Sequence, residues 1–343
     1  MSRGAVTSSL AELVDPLCRV HDWIRDAVLA ACEYHSTSEL AAVAAQGAGD
    51  VTFEIDRVSE SALVERLAAE IAERDPIVLV GEGLPNGKLV LPAGTREADA
   101  PWRAIVDPID GTRCLMYQKR PGWILTGVAP NRGDATTLDD IELAVQTEIP
   151  LVKQHLSDQL WAVRGGGAQG VRRNRMTGDS TPLVLQPSTA TDLRDGFATF
   201  SRFFPGGRDV LSAIDDALSE RLLGRRTRGE AAVFEDQYAC TGGQLYGLII
   251  GQDRFVADLR PLVERIVLER GQALGHCCHP YDLCTKLIAE EAGIIVTGAN
   301  GGPVTYPLDT ESDVTWIGYA NAALREHIEP ALVELLREYQ LLP

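Results

Sequence analysis

The stretch Trp102-Arg-Ala-Ile-Val-Asp-Pro-Ile-Asp-Gly-Thr-Arg113 decides the fold of this 343-residue chain. The apolar Ile-Val pair before its first acid is typical of the end of a buried strand. Pro108 fixes its own φ and lacks an N–H donor, so the strand has to turn there. The turn carries two carboxylates, Asp107 and Asp110, and then Gly111, where the backbone can approach a ligand closely. Two acids three residues apart, beside exposed backbone N–H groups, suit a hard cation such as Mg²⁺ that bridges to a phosphate.

The hexapeptide Asp-Pro-Ile-Asp-Gly-Thr at 107–112 resembles the central motif of the inositol monophosphatase family, the Mg²⁺-dependent, lithium-sensitive phosphatases. Three further parts of that family's pattern follow its order here: Asp56 after an alternating stretch, Gly81-Glu82-Gly83 and Tyr281-Asp282. The resemblance covers about residues 51–302. It implies a mixed α/β fold of the α+β type, the layered αβαβα sugar-phosphatase fold. It also implies one compact unit of 1–343, with an N-terminal half to residue 182 and a C-terminal half from 183.

The same resemblance assigns roles to individual residues. The metal ligands would hold two or three Mg²⁺ ions and would be Glu82, Asp107, Asp110, Asp282 and the carbonyl of Ile109. The catalytic set would be Glu82 and Thr112, which orient and deprotonate the attacking water, with Asp110 and, as an outer acid, Asp56. The substrate-binding residues would be Gly111, Thr112, Arg113 and Asp282. The implied function is Mg²⁺-dependent hydrolysis of a small sugar or polyol phosphate by a metal-activated water, a phosphoric monoester hydrolase reaction.

Four positions depart from the family's pattern and leave the substrate open. Gly83 replaces a second glutamate, Cys284 replaces a small residue after Asp282, and Arg113 stands where an asparagine is usual. The acid that grips inositol hydroxyls in the family aligns near Gly275. Phosphatase chemistry is therefore better supported than inositol specificity. The alternatives are a nucleotide 3′-phosphatase of the 3′-phosphoadenosine 5′-phosphate type and a catalytically degenerate paralogue that binds metal or phosphate.

Composition restricts the class of protein. A hydrophobic content of 45% with 24% charged residues is ordinary for a globular chain. The net charge of −17 argues against nucleic acid as a partner, because phosphate backbones need a basic surface. The sequence has no apolar run of about 18 residues and no signal-peptide core. Seven cysteines form no disulfide framework, so the expected location is the cytoplasm. Related phosphatases often form homodimers, and a homodimer is expected here.

The nine residues His276-Cys-Cys-His-Pro-Tyr-Asp-Leu-Cys284 offer zinc as a competing interpretation. Structural zinc sites usually combine two pairs of ligands at a spacing of a dozen residues or more. Here two cysteines are adjacent and no second pair follows. We therefore favour a helix that begins at Asp282 and points this acid into the metal site.

Local patterns predict the remaining elements. The first helix is expected at 9–33, with capping-box spacing between Ser9 and Glu12. Residues 84–101 are rich in proline and glycine and predict a loop. The predicted strands are 51–55, 77–80, 123–129, 141–147, 160–163, 246–250, 294–296 and 314–317. The other predicted helices follow Asp56 to Arg74 and then cover 209–223, 235–245, 261–270, 283–292 and 322–336.

Overall fold

The computed structural model describes residues 9–40, 43–46, 51–53, 59, 63–225 and 227–343. The chain divides into two compact units. The first comprises Met1–Leu183, Pro280–Ile288 and Tyr306–Ser312, and the second Val184–His279, Ala289–Thr305 and Asp313–Pro343. The segment that carries Asp282 therefore belongs to the first unit, although it lies late in the sequence.

An eight-stranded sheet dominates the first unit, and its strands follow the order β10-β9-β8-β7-β6-β5-β3-β4. Only the β3–β5 pair is parallel; the other neighbouring pairs among these described strands are antiparallel. The strands are β3 (Ile77–Gly81), β4 (Lys88–Leu91), β5 (Trp102–Asp110), β6 (Gly122–Pro130), β7 (Leu143–Ile149), β8 (Leu156–Val163), β9 (Ala168–Asn174) and β10 (Ser180–Pro182). A separate antiparallel pair precedes them, β1 (Val43–Gln46) and β2 (Val51–Phe53).

The helices of the first unit are short apart from the first. They are α1 (Val14–Tyr34), α2 (Thr37–Leu40), α3 (Thr112–Met116) and α7 (Lys286–Glu291), which begins in this unit. A π-helix at Ala68–Ala72 continues the helical residues 63–67. Single 3₁₀ turns lie at Leu10–Leu13, Pro85–Gly87, Glu97–Asp99 and Leu138–Asp140.

Helix α1 covers one face of the sheet. Its apolar stripe, Leu17, Val20, Ile24 and Val28, is buried in the same core as the strand residues Ile124, Val128 and Val145. His21 lies within this stripe and is fully buried; its ring nitrogens are 2.7 Å from the Thr126 hydroxyl and 3.0 Å from that of Thr147. Burial, with the charge of Arg25 as a lesser cause, lowers the pKa of His21 to about 3. The ring is therefore neutral, and its polar atoms are satisfied inside an apolar core.

The second unit contains a five-stranded sheet in the order β12-β11-β13-β15-β14. Its strands are β11 (Gly196–Phe200), β12 (Val233–Phe234), β13 (Asp253–Asp258), β14 (Ile295–Thr297) and β15 (Trp316–Tyr319). Its helices are α4 (Arg208–Leu223), α5 (Thr241–Ile249), a 3₁₀ turn at Arg260–Val263, α6 (Glu264–Glu269) and α8 (Ala322–Glu338). None of the described helices of the chain is both long enough and apolar enough to cross a bilayer.

Most predicted elements of the first unit are present, but three local predictions are wrong. The predicted loop at 84–101 contains β4, which pairs with β3 in antiparallel register. The capping box of Ser9 is absent, since the Ser9 side chain makes no cap bond and the first turn is 3₁₀. Asp282 does not begin a helix: residues 281–285 form turns, and α7 starts at Lys286.

The sequence also misassigned residues 235–258. The sequence predicts a helix over 235–245 and a strand over 246–250, whereas α5 runs from Thr241 to Ile249, through the boundary between them. The glycines of this helix permit close packing: a Cβ on Gly243 would lie 2.1 Å from the ring of Tyr238, and one on Gly247 would lie 2.1 Å from Asp253. The strand comes later, as β13, in residues that precede the predicted helix at 261–270 and for which the sequence predicts no strand.

Candidate metal centre

The strand β5 delivers the two acids of the central motif to the end of a buried sheet. It pairs with β6 from Trp102 onward, and a bulge interrupts the register between Asp107 and Asp110, where Pro108 cannot donate a ladder hydrogen bond. The Ile109 N–H donates to Asp107 Oδ1 at 2.9 Å, which fixes that carboxylate within the bulge. Both acids are buried, with 4% of Asp107 and 6% of Asp110 exposed.

A tight turn follows the two acids. Gly111 adopts a φ of 84°, a left-handed conformation that glycine enters without steric cost, and α3 starts at the next residue. The Thr112 hydroxyl donates to the Ile109 carbonyl at 2.7 Å. Because a hydroxyl has one proton, this bond leaves the Thr112 oxygen as an acceptor toward other groups.

A second glycine brings Glu82 toward the acids. Gly81 ends β3 opposite Val106 of β5, and a Cβ on Gly81 would lie only 2.9 Å from the Val106 carbonyl oxygen. A larger residue would push the two strands apart at this point. Glu82, half-buried, therefore follows β3 at the level where Asp107 follows Val106 on β5.

Asp282 reaches the same edge from a turn that lies on the sheet. Strand β6 has no side chain at Gly127, where a Cβ would lie 2.8 Å from the Cys284 carbonyl oxygen and 3.2 Å from the Cys284 Cβ. The Thr285 hydroxyl donates to Gln146 Oε1 on β7 at 2.8 Å, and both residues are fully buried. The Lys286 ammonium contacts Asp139 at 2.8 Å. These contacts hold the turn that carries Asp282 against the sheet.

The outcome is a compact cluster of three buried carboxylates, Asp107, Asp110 and Asp282. One ligand oxygen from each lies within 4.8 Å of the others. Burial raises the pKa of Asp107 well above its usual range, and the charges of Asp110, Asp282 and Glu82 raise it further, while the Ile109 N–H lowers it. Like charges held this close away from water need protons or a cation to offset them.

Cys284 adds a neutral side chain to this cluster. Its thiol is fully buried, and burial together with the charges of Asp107, Asp282 and Asp110 raises its pKa well above the usual value. The thiol therefore stays protonated at neutral pH and adds no negative charge.

The structure brings together Asp107, Asp110 and Asp282 from the predicted ligand set. Glu82 is close enough to raise the pKa of Asp107, but it is not a member of the compact group found among the described residues. Arg113 is exposed on the first turn of α3. Asp56, predicted as an outer acid, lies outside the described residues.

The sequence did not point to Gln146 and Gly127, which contact the turn that carries Asp282, or to Thr285 within that turn. The one available signal was Gln146-Thr147, a polar pair inside the otherwise apolar strand β7. The zinc alternative finds no support among the described residues, where the three aspartates are the single group of metal-ligating side chains that converges. Cys277 and Cys278 instead donate to the carbonyls of Gly275 and His279.

Gly275, the position aligned with the inositol-gripping acid, has no room for a side chain. A Cβ there would lie 2.4 Å from the Pro205 carbonyl oxygen and 3.3 Å from the Cβ of Phe204. A backbone carbonyl cannot move aside in the way that the end of a flexible side chain can. An acid at this position would therefore require the backbone of the second unit to move.

No protein-family model matches the chain, and no curated protein matches it in sequence. Solved structures do match it. The extragenic suppressor protein SuhB from Bartonella henselae is 16% identical with a TM-score of 0.62, over 94% of this chain and 98% of that one. The fructose-1,6-bisphosphatase of Leishmania major, in holo form, is 15% identical with a TM-score of 0.67, over 98% and 96%. The chain therefore shares the mixed α/β fold of these two proteins, which is the fold that the motif resemblance predicted.

Proposed function

We propose that this protein is a Mg²⁺-dependent phosphomonoesterase that hydrolyses a small sugar or polyol phosphate. The observation that carries the proposal is the convergence of Asp107, Asp110 and Asp282, buried and within 4.8 Å of one another, beside the turn at Gly111. The fold supports it, because the two solved structures share it across nearly their whole length.

The donor set fits Mg²⁺. Its members are carboxylate oxygens, the ligands that a hard divalent cation prefers, and burial together with their mutual repulsion raises the pKa of Asp107 when no positive charge is supplied. Asp107, Asp110 and Asp282 would hold the ion, with Glu82 and the Ile109 carbonyl as the further ligands that the resemblance implies. When bound, Mg²⁺ supplies Lewis-acid stabilisation of the phosphate oxygens and lowers the pKa of water.

The chain's own residues supply orientation and proton transfer. The Thr112 hydroxyl donates a hydrogen bond to the Ile109 carbonyl. The hydroxyl oxygen would therefore accept a hydrogen bond from the attacking water and orient that water. Glu82, half-buried at the end of β3, would take the proton of that water. The backbone N–H groups of Gly111 and Thr112 would hold the phosphate, and Arg113 would add positive charge to it.

The lack of space at position 275 supports a proposal on the polyol part of the substrate. Because Gly275 leaves no space for a side chain, the contact by which the family's acid grips inositol hydroxyls cannot form there. We therefore expect no strong preference for inositol monophosphate over other sugar phosphates. This expectation concerns the polyol part of the substrate and leaves the phosphate chemistry unchanged.

The experiment that tests the proposal is release of inorganic phosphate from a panel of phosphomonoesters, with and without Mg²⁺. The panel should contain inositol monophosphate, hexose phosphates, fructose 1,6-bisphosphate and 3′-phosphoadenosine 5′-phosphate. We expect Mg²⁺-dependent release with several sugar phosphates of similar kcat/KM. Release from the nucleotide alone would favour the 3′-phosphatase alternative, and no release from any ester would refute the proposal.

A further inference from the structure

The turn that carries Asp282 depends on a strand outside the metal cluster. Asp107, Leu125 and Gln146 pair directly across β5, β6 and β7. Residues directly opposite each other in antiparallel strands point to the same face of the sheet, so these three side chains share a face. Two strand spacings place Gln146 roughly 10 Å from Asp107 along this row.

The chain segment after Asp282 crosses that row. Cys284 packs on Gly127, which is two residues from Leu125 and so on the same face. The next residue, Thr285, donates to Gln146 Oε1 at 2.8 Å, and neither residue is exposed to water. The hydrogen bond thus fixes the segment three residues beyond Asp282 to the sheet that also carries Asp107.

The anchor is specific to these two side chains. Both residues are fully buried, so water cannot replace this hydrogen bond without cost. The adjacent contact of Lys286 with Asp139 involves a carboxylate that is 38% exposed, where solvent screens the interaction. The Thr285–Gln146 bond is therefore the stronger constraint on the turn.

We propose that Gln146 is a positioning residue, which holds Asp282 through Thr285 at the separation that a divalent cation requires. Groups that orient metal ligands commonly contribute 10–100-fold to metal affinity. The inference rests on the metal site of the proposed function and adds to it a residue that touches neither metal nor substrate.

The test is the affinity for Mg²⁺, measured by calorimetry on the full-length protein without substrate. Thr285→Val keeps the side-chain shape and removes the donor, and Gln146→Leu removes the acceptor. We expect each variant to bind Mg²⁺ about 10–100-fold more weakly than wild type. The double variant should bind Mg²⁺ with the affinity of the single variant that binds it less tightly, because both changes break the same hydrogen bond. Thr285→Ser, which keeps the hydroxyl, should retain most of the Mg²⁺ affinity of wild type.

A matched control lies on the other face of the same strand. Thr147 accepts a buried hydrogen bond from the Gln159 amide at 3.0 Å and contacts His21. Thr147→Val should lower the melting temperature of the metal-free protein at least as much as Thr285→Val does, yet leave the Mg²⁺ affinity unchanged. Equal losses of affinity in the two valine variants, or unchanged affinity in Thr285→Val, would overturn the inference.

The outcomes separate this inference from the proposed function. Weakened Mg²⁺ binding in the Thr285 and Gln146 variants supports the inference even if wild type releases no phosphate from any ester. Unchanged Mg²⁺ binding in those variants refutes it even if wild type is an active phosphatase.

Discussion

Replacing Asp110 by asparagine should stop phosphate release without destabilising the metal-free protein. The change keeps the shape of the side chain and removes one of three negative charges in the cluster. Asp110 is 6% exposed, and its ligand oxygen lies within 4.8 Å of those of Asp107 and Asp282. The variant therefore loses a metal ligand and relieves a repulsion at the same time.

The magnitude follows from that separation. Two unit charges 4.8 Å apart repel by about 3.5 kcal/mol at an effective dielectric constant of about 20. The raised pKa of Asp107 shows that part of this cost is avoided by binding a proton. We therefore expect the free energy of unfolding of the metal-free variant at pH 8 to exceed that of wild type by roughly 1–3 kcal/mol. Its melting temperature should be a few degrees higher than that of metal-free wild type.

At saturating Mg²⁺, wild type should have a higher melting temperature than Asp110→Asn. An ion that binds only the folded state at 100 times its Kd stabilises it by about 2.7 kcal/mol. Wild type should show such a gain in melting temperature, and the Asp110→Asn variant a much smaller one. Scanning calorimetry at several Mg²⁺ concentrations, together with phosphate release, measures both effects.

A matched control separates metal binding from relief of a buried charge. Glu148 is buried, lies outside the cluster and has a pKa raised to about 7 by burial. Glu148→Gln should stabilise the protein at pH 8 but leave the gain from Mg²⁺ and the turnover unchanged. The reasoning fails if Asp110→Asn keeps near wild-type turnover, because the turn would then be structural.

Three further predictions concern other residues and the assembly. Arg113→Ala should raise KM with little change in kcat, since a charge that contacts phosphate in ground and transition state binds both equally; unchanged steady-state kinetics would show that Arg113 does not reach the substrate. Because the pKa of Glu148 is raised in the folded state, its contribution to stability is full below about pH 4.5 and is lost as the pH rises through 7. Between pH 5 and 8 the free energy of unfolding of wild type, measured with denaturant, should therefore fall by roughly 3 kcal/mol at most, and that of Glu148→Gln should not show this fall. Parallel pH profiles of the two proteins would refute this prediction. A homodimer is expected in solution, and light scattering that gives the 37.1 kDa mass of one chain at micromolar concentration would exclude it.

Local sequence rules located the central strand and its turn well. The apolar run that ends at Val106, the proline at 108 and the glycine at 111 act on their immediate neighbours, so their effect is readable without the fold. Strand β5 and the left-handed Gly111 are found where this pattern places them, but the strand does not stop at Pro108: it continues through a bulge to Asp110, and the turn comes at Gly111. The motif order likewise predicted the layered fold that the solved structures share.

The same rules failed where a distant residue sets the local conformation. Gly243 and Gly247 lie inside helix α5, where a ring and a carboxylate occupy the space that a side chain would need. Strand β4 forms in a stretch rich in turn residues because β3 offers it a partner. In both places tertiary contacts outweigh the weak intrinsic preference of the segment.

The sequence by itself predicted the candidate chemistry of this protein, because it places acids on a rigid turn in the order of a known phosphatase pattern. Only the tertiary structure decided that three of these acids converge. Asp107 and Asp282 are 175 positions apart in the sequence, and this separation does not predict how far apart they lie in the folded chain. The glycines at 81 and 127 let a neighbouring strand and the Asp282 turn approach, and the Thr285–Gln146 hydrogen bond joins that turn to the sheet. Their roles depend on which strands are neighbours, and strand order is a property of the whole fold.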